Sequence, residues 1–190
     1  MRRVLPLVLV VAGFVALPPL LQMLGAPALP AASWSFDDAA RRLPEFTFFD
    51  NSRRPLTLNR FRGSYAVVNV WATWCGPCRA EMTSLNHLAQ IAAGDKLKII
   101  PISIDRSGYV SVRAFYKRLG LSRLPVYLDP SRSAMDALAI VGIPTTLIID
   151  PEGREVGRVV GPARWDAPVT VARFSKLLGR ISDRRASGHD

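Results

Sequence analysis

The residues best suited to do chemistry in this 190-residue chain are its two cysteines, which are three positions apart in Trp74-Cys75-Gly76-Pro77-Cys78. They follow a run rich in β-branched and aromatic residues, Tyr65 to Trp71 (YAVVNVW), and open a segment in which Met82, Leu85, Leu88, Ile91 and Ala92 recur at helical spacing. That places Cys75 at the start of a helix. Free backbone N–H groups and the helix dipole stabilise a thiolate there, and Pro77 suits the first turn because its missing N–H has no partner to lose. A thiol pKa lowered from about 8.5 to about 7 raises the reactive fraction at neutral pH from a few per cent to roughly half. Cys75 is therefore the expected nucleophile, and Cys78, one helical turn on, is the thiol that resolves a mixed disulfide.

Other uses of two cysteines fit less well. A structural bridge across so short a loop contributes only about 2 kcal/mol by loop entropy, against nearly 5 for a long loop. Haem attachment needs His after the second cysteine, where Arg79 stands, and a peroxidatic cysteine needs Thr or Ser at the position of Ala72. Only His87 and His189 are available beside the cysteines, too few for a four-coordinate zinc site, and no metal site is assigned. A copper chaperone that uses Cys75, Cys78 and a histidine remains the alternative from another functional class. His87 falls in mid-helix and reads as a surface or packing residue.

The elements that must hold the pair alternate. Phe46 to Phe49 reads as a short strand, Tyr65 to Trp71 as a buried strand and Cys75 to about Ala93 as a helix. Lys98 to Ile104 is a second buried strand, Tyr109 to Leu119 a helix, Val126 to Leu128 a short strand and Ser133 to Ile140 a helix. Thr145 to Ile149 and Glu155 to Val160 form a hairpin around Pro151-Glu152-Gly153, and Val169 to Ile181 is the last helix. This order implies an α/β domain with a central mixed sheet flanked by helices on both faces. The organisation expected is a membrane anchor or signal peptide over 1–28, a linker over 29–45, the folded domain over 46–181 and a loose tail over 182–190.

Val4 to Leu24 is a run of 21 residues with Gln22 as its only strongly polar side chain, preceded by Arg2 and Arg3. It matches a hydrocarbon core of about 30 Å. Ala26-Pro27-Ala28 resembles a processing site, so an uncleaved anchor and a cleaved signal both stand, and both carry the domain out of the cytoplasm. Setting aside Arg2 and Arg3, 23 basic and 15 acidic residues leave a net charge of +8 on the exported part. With no base-reading motif, this charge fits an anionic membrane surface and not a nucleic acid.

VVNVWATWCGPCRAEM, followed by VGIPTTLIIDPEGREVGRVVG, resembles the thioredoxin superfamily, and more narrowly the membrane-tethered TlpA-like disulfide reductases. The resemblance implies a thioredoxin-like fold, with Ser107 to Asp129 as an added helix and strand. It implies a cis proline at Pro144 that faces the cysteines and presents Ile143 to a substrate, alongside Trp74 and Pro77 as further substrate contacts. Where thioredoxins carry a buried Asp beneath the cysteines, Asn69 stands here and cannot take a proton. Glu81, three residues after Cys78, matches the acidic residue that extracytoplasmic relatives carry; a solvated acid complementing the helix dipole is its other reading. Trp71 reads as core, and Trp165 as either a subgroup feature or a cap on the core.

The function implied is an extracytoplasmic thiol:disulfide reductase acting through Cys75, Cys78 and Glu81, anchored at the periplasmic face of the cell membrane and monomeric. Its clients would be disulfide-containing proteins of cytochrome assembly, such as apocytochrome c or copper-site proteins. A membrane thiol-transfer protein would be its electron donor, and no cofactor is called for. An oxidase or isomerase is the rival within the same chemistry.

Overall fold

The computed structural model describes residues 32–35, 40–92 and 96–176. The expected anchor or signal over 1–28 and tail over 182–190 lie outside them. Among the described residues no helix is long and apolar enough to cross a membrane.

The strands are β1 (Ser33–Ser35), β2 (Arg41–Arg42), β3 (Phe48–Phe49), β4 (Pro55–Leu56), β5 (Tyr65–Trp71), β6 (Leu97–Ser103), β7 (Tyr127–Leu128), β8 (Thr145–Ile149) and β9 (Arg154–Val160). The helices are α1 (Gly76–Ile91), α2 (Tyr109–Leu119), α3 (Ser133–Ala137) and α4, described over 168–176. One mixed sheet runs in the order β1-β9-β8-β5-β6-β7-β3-β4, with β2 also pairing β9. The apolar run Tyr65 to Trp71 is its axis: it pairs parallel with β6 and antiparallel with β8, and all seven of its residues are buried. Burial on both faces is the physical reason this strand shows no polar alternation.

Trp71 is fully buried, stacked on Tyr116 with ring centroids 5.8 Å apart and tilted against Phe115 at 5.3 Å. This packing seats α2 against the end of β5, so the added helix and strand of the Ser107 to Asp129 segment are α2 and β7, and β7 joins the sheet between β6 and β3.

Two expectations change. The linker over 29–45 contains β1 and β2, both antiparallel to β9. They cover the edge that β9 would otherwise leave with unpaired backbone groups. Trp34 of β1 also packs on Trp165, with ring centroids 5.6 Å apart. The helix expected over Ser133 to Ile140 ends at Ala137, because Ala139 turns into the left-handed region (φ 51°) while Leu138 and Ile140 point into the core.

Candidate active site

Cys75 caps α1. Its backbone is extended (φ −81°, ψ 109°), and its sulfur accepts the Cys78 N–H at 3.2 Å. The two cysteines form a disulfide with Cα atoms 5.3 Å apart. Cys78 is wholly buried and Cys75 nearly so, at 7% exposure, so what little surface the pair retains belongs to Cys75. That asymmetry fits the division into an attacking and a resolving cysteine.

The loop that leads into Cys75 is pinned by a group the sequence did not single out. Asp105, just beyond β6, is buried and accepts from the Thr73 N–H at 2.8 Å, the Thr73 hydroxyl at 2.6 Å and the Ser103 hydroxyl at 2.6 Å. β5 and β6 run parallel and in register, which brings Ser103 opposite Trp71 and the acid beside the cysteine loop. Replacing Asp105 with Ala removes three hydrogen bonds to one buried carboxylate. Urea unfolding of the oxidised protein is expected to show a loss of about 2–4 kcal/mol at unchanged slope. A loss below about 0.5 kcal/mol would mean that other contacts hold the loop.

Opposite the cysteines, the Ile143–Pro144 peptide is cis, and the Ile143 carbonyl oxygen lies 3.7 Å from the Cys75 sulfur. The Thr145 hydroxyl donates to the Gly142 carbonyl at 2.7 Å, and the Gly161 N–H to the Pro144 carbonyl at 2.9 Å, so the loop is tied on both sides. Trp74 is 60% exposed beside Cys75, and Pro77 is half-buried in the first turn of α1. Cys75, Cys78, Trp74, Ile143 and Pro144 thus share one end of the sheet.

Glu81 is not a solvated helix acid. It is 1% exposed on the inner face of α1. Its Oε1 accepts from Asn69 Nδ2 at 2.8 Å, and its Oε2 accepts from the Ala163 N–H at 2.8 Å and the Trp165 indole N–H at 3.0 Å. Burial pushes its carboxyl up from 4.5 to about 7, against the lowering effect of those hydrogen bonds. The β5–β8 register sets Asn69 opposite Thr146, and Asn69 Nδ2 donates to the Thr146 hydroxyl at 2.8 Å while its Oδ1 is buried without a partner. Trp165, wholly buried, is therefore both core cap and hydrogen-bond donor. Its backbone N–H also donates to the Ser84 hydroxyl at 3.2 Å. Only a tryptophan following the hairpin in Gly161-Pro162-Ala163-Arg164-Trp165 hinted at this partner.

His87 is exposed and pairs with Asp166 at 3.1 Å, as a surface residue does. Among the described residues no group of three His, Cys, Asp or Glu side chains could hold a metal ion.

A family model described as the AhpC/TSA family matches residues 39–154, more than half the chain, including both cysteines and Pro144. The chain belongs to the AhpC/TSA family. As a member with a thioredoxin-like fold, it is 30% identical over 118 residues to a protein of Bacillus subtilis (strain 168) named thiol-disulfide oxidoreductase ResA. The match takes in 62% of this chain and 65% of that one, so the chain spans a little under two thirds of the relative's length. Two solved structures share the fold of this AhpC/TSA member. One is a Chlorobium tepidum protein described as thiol:disulfide interchange protein DsbE, with TM-score 0.65, 22% identity, and 76% of this chain and 99% of that one covered. The other is a thiol:disulfide interchange protein from Bacteroides sp., with TM-score 0.62, 22% identity, and 74% and 90% covered.

Proposed function

We propose that this protein is a thiol:disulfide oxidoreductase that acts as a reductase of client disulfides outside the cytoplasm, held at the membrane by its apolar amino-terminal run. The observation that carries the reading is a buried cysteine pair at a helix start whose less buried member, Cys75, has its sulfur 3.7 Å from the carbonyl that precedes a cis proline. The likeness to a protein named thiol-disulfide oxidoreductase supports it.

The reaction starts from the dithiol. The Cys75 thiolate attacks one sulfur of a client disulfide; a Cys75–client bond forms, the client's own S–S bond breaks, and the second client sulfur leaves as thiolate and takes up a proton. Cys78 then loses its proton and attacks the Cys75 sulfur. The Cys75–Cys78 bond forms and the client leaves with both sulfurs reduced. Glu81, one helical turn beyond Cys78 and half-ionised near neutral pH, is the group that takes the Cys78 proton, directly or through one water. Trp74, Pro77, Ile143 and Pro144 form the client-contacting surface. Return to the dithiol requires two electrons and two protons from a second dithiol, which a membrane thiol-transfer protein supplies. Clients of cytochrome assembly, including apocytochrome c and copper-site proteins, follow from the TlpA-like resemblance.

The Gly-Pro pair between the cysteines is shared with reducing thioredoxins near −270 mV, whereas oxidants of the DsbA type lie near −120 mV. Equilibration with glutathione redox buffers is expected to place the midpoint of the Cys75–Cys78 couple below about −200 mV. A midpoint above about −180 mV would make the protein an oxidase or isomerase instead.

A further inference from the structure

Arg132 is held in a backbone conformation that arginine rarely adopts, φ 64° and ψ 22° in the left-handed region. The turn that imposes it is built around Asp129. This acid is fully buried, and its carboxylate accepts from the Ser131 hydroxyl at 2.5 Å, the Ala134 N–H at 2.7 Å and the Ser133 hydroxyl at 3.3 Å. The Asp129 N–H donates to the Ser103 carbonyl at 2.8 Å, which anchors the turn to the end of β6. The Arg132 N–H in turn donates to the Asp129 carbonyl at 3.1 Å.

This turn sets the Arg132 guanidinium over the indole of Trp74, 6.0 Å from the ring centre. Among the described residues Arg132 forms no ion pair, and its Nε is buried without a hydrogen-bond partner. Asp129 is fully engaged elsewhere. Across the cysteine, Val141 is 99% exposed in the loop whose Ile143 carbonyl touches the Cys75 sulfur. Next to Cys75, then, Trp74 carries a cation that is unpaired among the described residues, and the loop whose Ile143 carbonyl reaches the Cys75 sulfur carries an exposed apolar side chain.

We propose that Arg132, seated on Trp74, selects clients that carry an acidic residue beside the cysteine attacked by Cys75. The proposal rests on the oxidoreductase reading above. A guanidinium offers a carboxylate two parallel N–H donors, and stacking on an indole fixes its plane before the client arrives. A strained conformation retained at such a place fits a functional demand more than a folding one, because glycine at 132 would adopt the same turn without strain. Val141 and Trp74 supply the apolar contact for the rest of an extended client segment.

The test uses the full-length reduced protein and two disulfide-bonded peptides that differ only in the residue next to the attacked cysteine, Glu in one and Lys in the other. The Glu peptide is expected to react about 10-fold faster or more at low ionic strength, with the ratio shrinking as salt rises. In Arg132→Met and in Arg132→Gly, which accepts the left-handed turn, the ratio is expected to fall towards one; in Arg132→Lys part of it is kept. Each rate is normalised to the same variant's rate on neutral 2-hydroxyethyl disulfide. Equal rates for the two peptides, or a preference that survives in Arg132→Gly, would overturn the docking proposal. A wild-type protein that reduces neither peptide nor 2-hydroxyethyl disulfide would instead overturn the oxidoreductase reading itself.

Discussion

Replacing Cys78 with Ser is expected to turn the protein from a catalyst into a trap. Cys75 retains its place at the start of α1, attacks a client disulfide and forms the mixed disulfide, but no neighbouring thiol then attacks its sulfur. Adducts that reducing agent dissolves should accumulate on non-reducing gels, and multiple-turnover reduction should fall on the order of 10³-fold or more, because an external thiol must replace an intramolecular one of very high effective concentration. Cys75→Ser should give neither adduct nor turnover. The burial difference dictates the direction: Cys78 has no exposed surface through which a client could reach it, whereas Cys75 has a small one. Adducts formed by Cys75→Ser and absent from Cys78→Ser would reverse the assignment of the two sulfurs.

Glu81→Gln should make the protein more stable and less active, with both effects confined to one range of pH. The Glu81 carboxyl is raised from 4.5 to about 7 by burial, so the folded state holds a proton that the unfolded chain releases near 4.5. Its contribution to stability is fully present below about pH 4.5, declines as pH rises towards 7 and is gone above that. The interval corresponds to roughly 3 kcal/mol, lost by the wild type and not by a glutamine that never ionises. Unfolding of the two oxidised proteins should therefore diverge by about that amount between pH 5 and pH 8, with the variant the more stable at pH 8. Parallel stability curves would mean that Glu81 does not titrate there.

Asn69 makes the glutamine tolerable. Its Nδ2 now donates to Glu81 and to Thr146 while its Oδ1 is unpartnered. Rotation of this amide would turn the oxygen towards a donor at 81, whether the proton of a neutral glutamic acid or the N–H of a glutamine. With Glu81 as the proposed acceptor of the Cys78 proton, the glutamine should lower the rate of client reduction on the order of 10²-fold at pH 7–8 and remove the limb of the pH profile near 7. Greater stability with lower activity is what a buried ionisable group retained for chemistry predicts.

The regular part of this fold was legible to the residue where pattern and burial agree. Tyr65 to Trp71, Thr145 to Ile149 and Tyr109 to Leu119 have the bounds expected of them, because a strand buried on both faces and a helix with one apolar face leave unambiguous periods. β1 and β2 left no such trace. Strands of three and two residues carry too few positions to show a period, and they exist because β9 offers an open edge to the chain beside it. The early end of α3 was hidden for a similar reason: apolar Leu138 and Ile140 reach the core from a left-handed turn as well as from a helix.

The same division runs through the active site. The pair of cysteines and their helix-start setting were legible in the sequence alone, because they depend on neighbours in the chain, and the cis proline at Pro144 was legible through the resemblance to the thioredoxin superfamily. Tertiary structure decided the burial of Glu81 and the place of Arg132 over Trp74. A carboxylate on a helix is solvated or buried according to what packs on it, and what packs here is Ala163 and Trp165, some eighty residues further along. An arginine in a loop is one cation among 25 basic residues until the turn around Asp129 lays it on the tryptophan beside the nucleophile. Electrostatic environment is set by distance in space, and the chain's order does not fix that distance until it has folded.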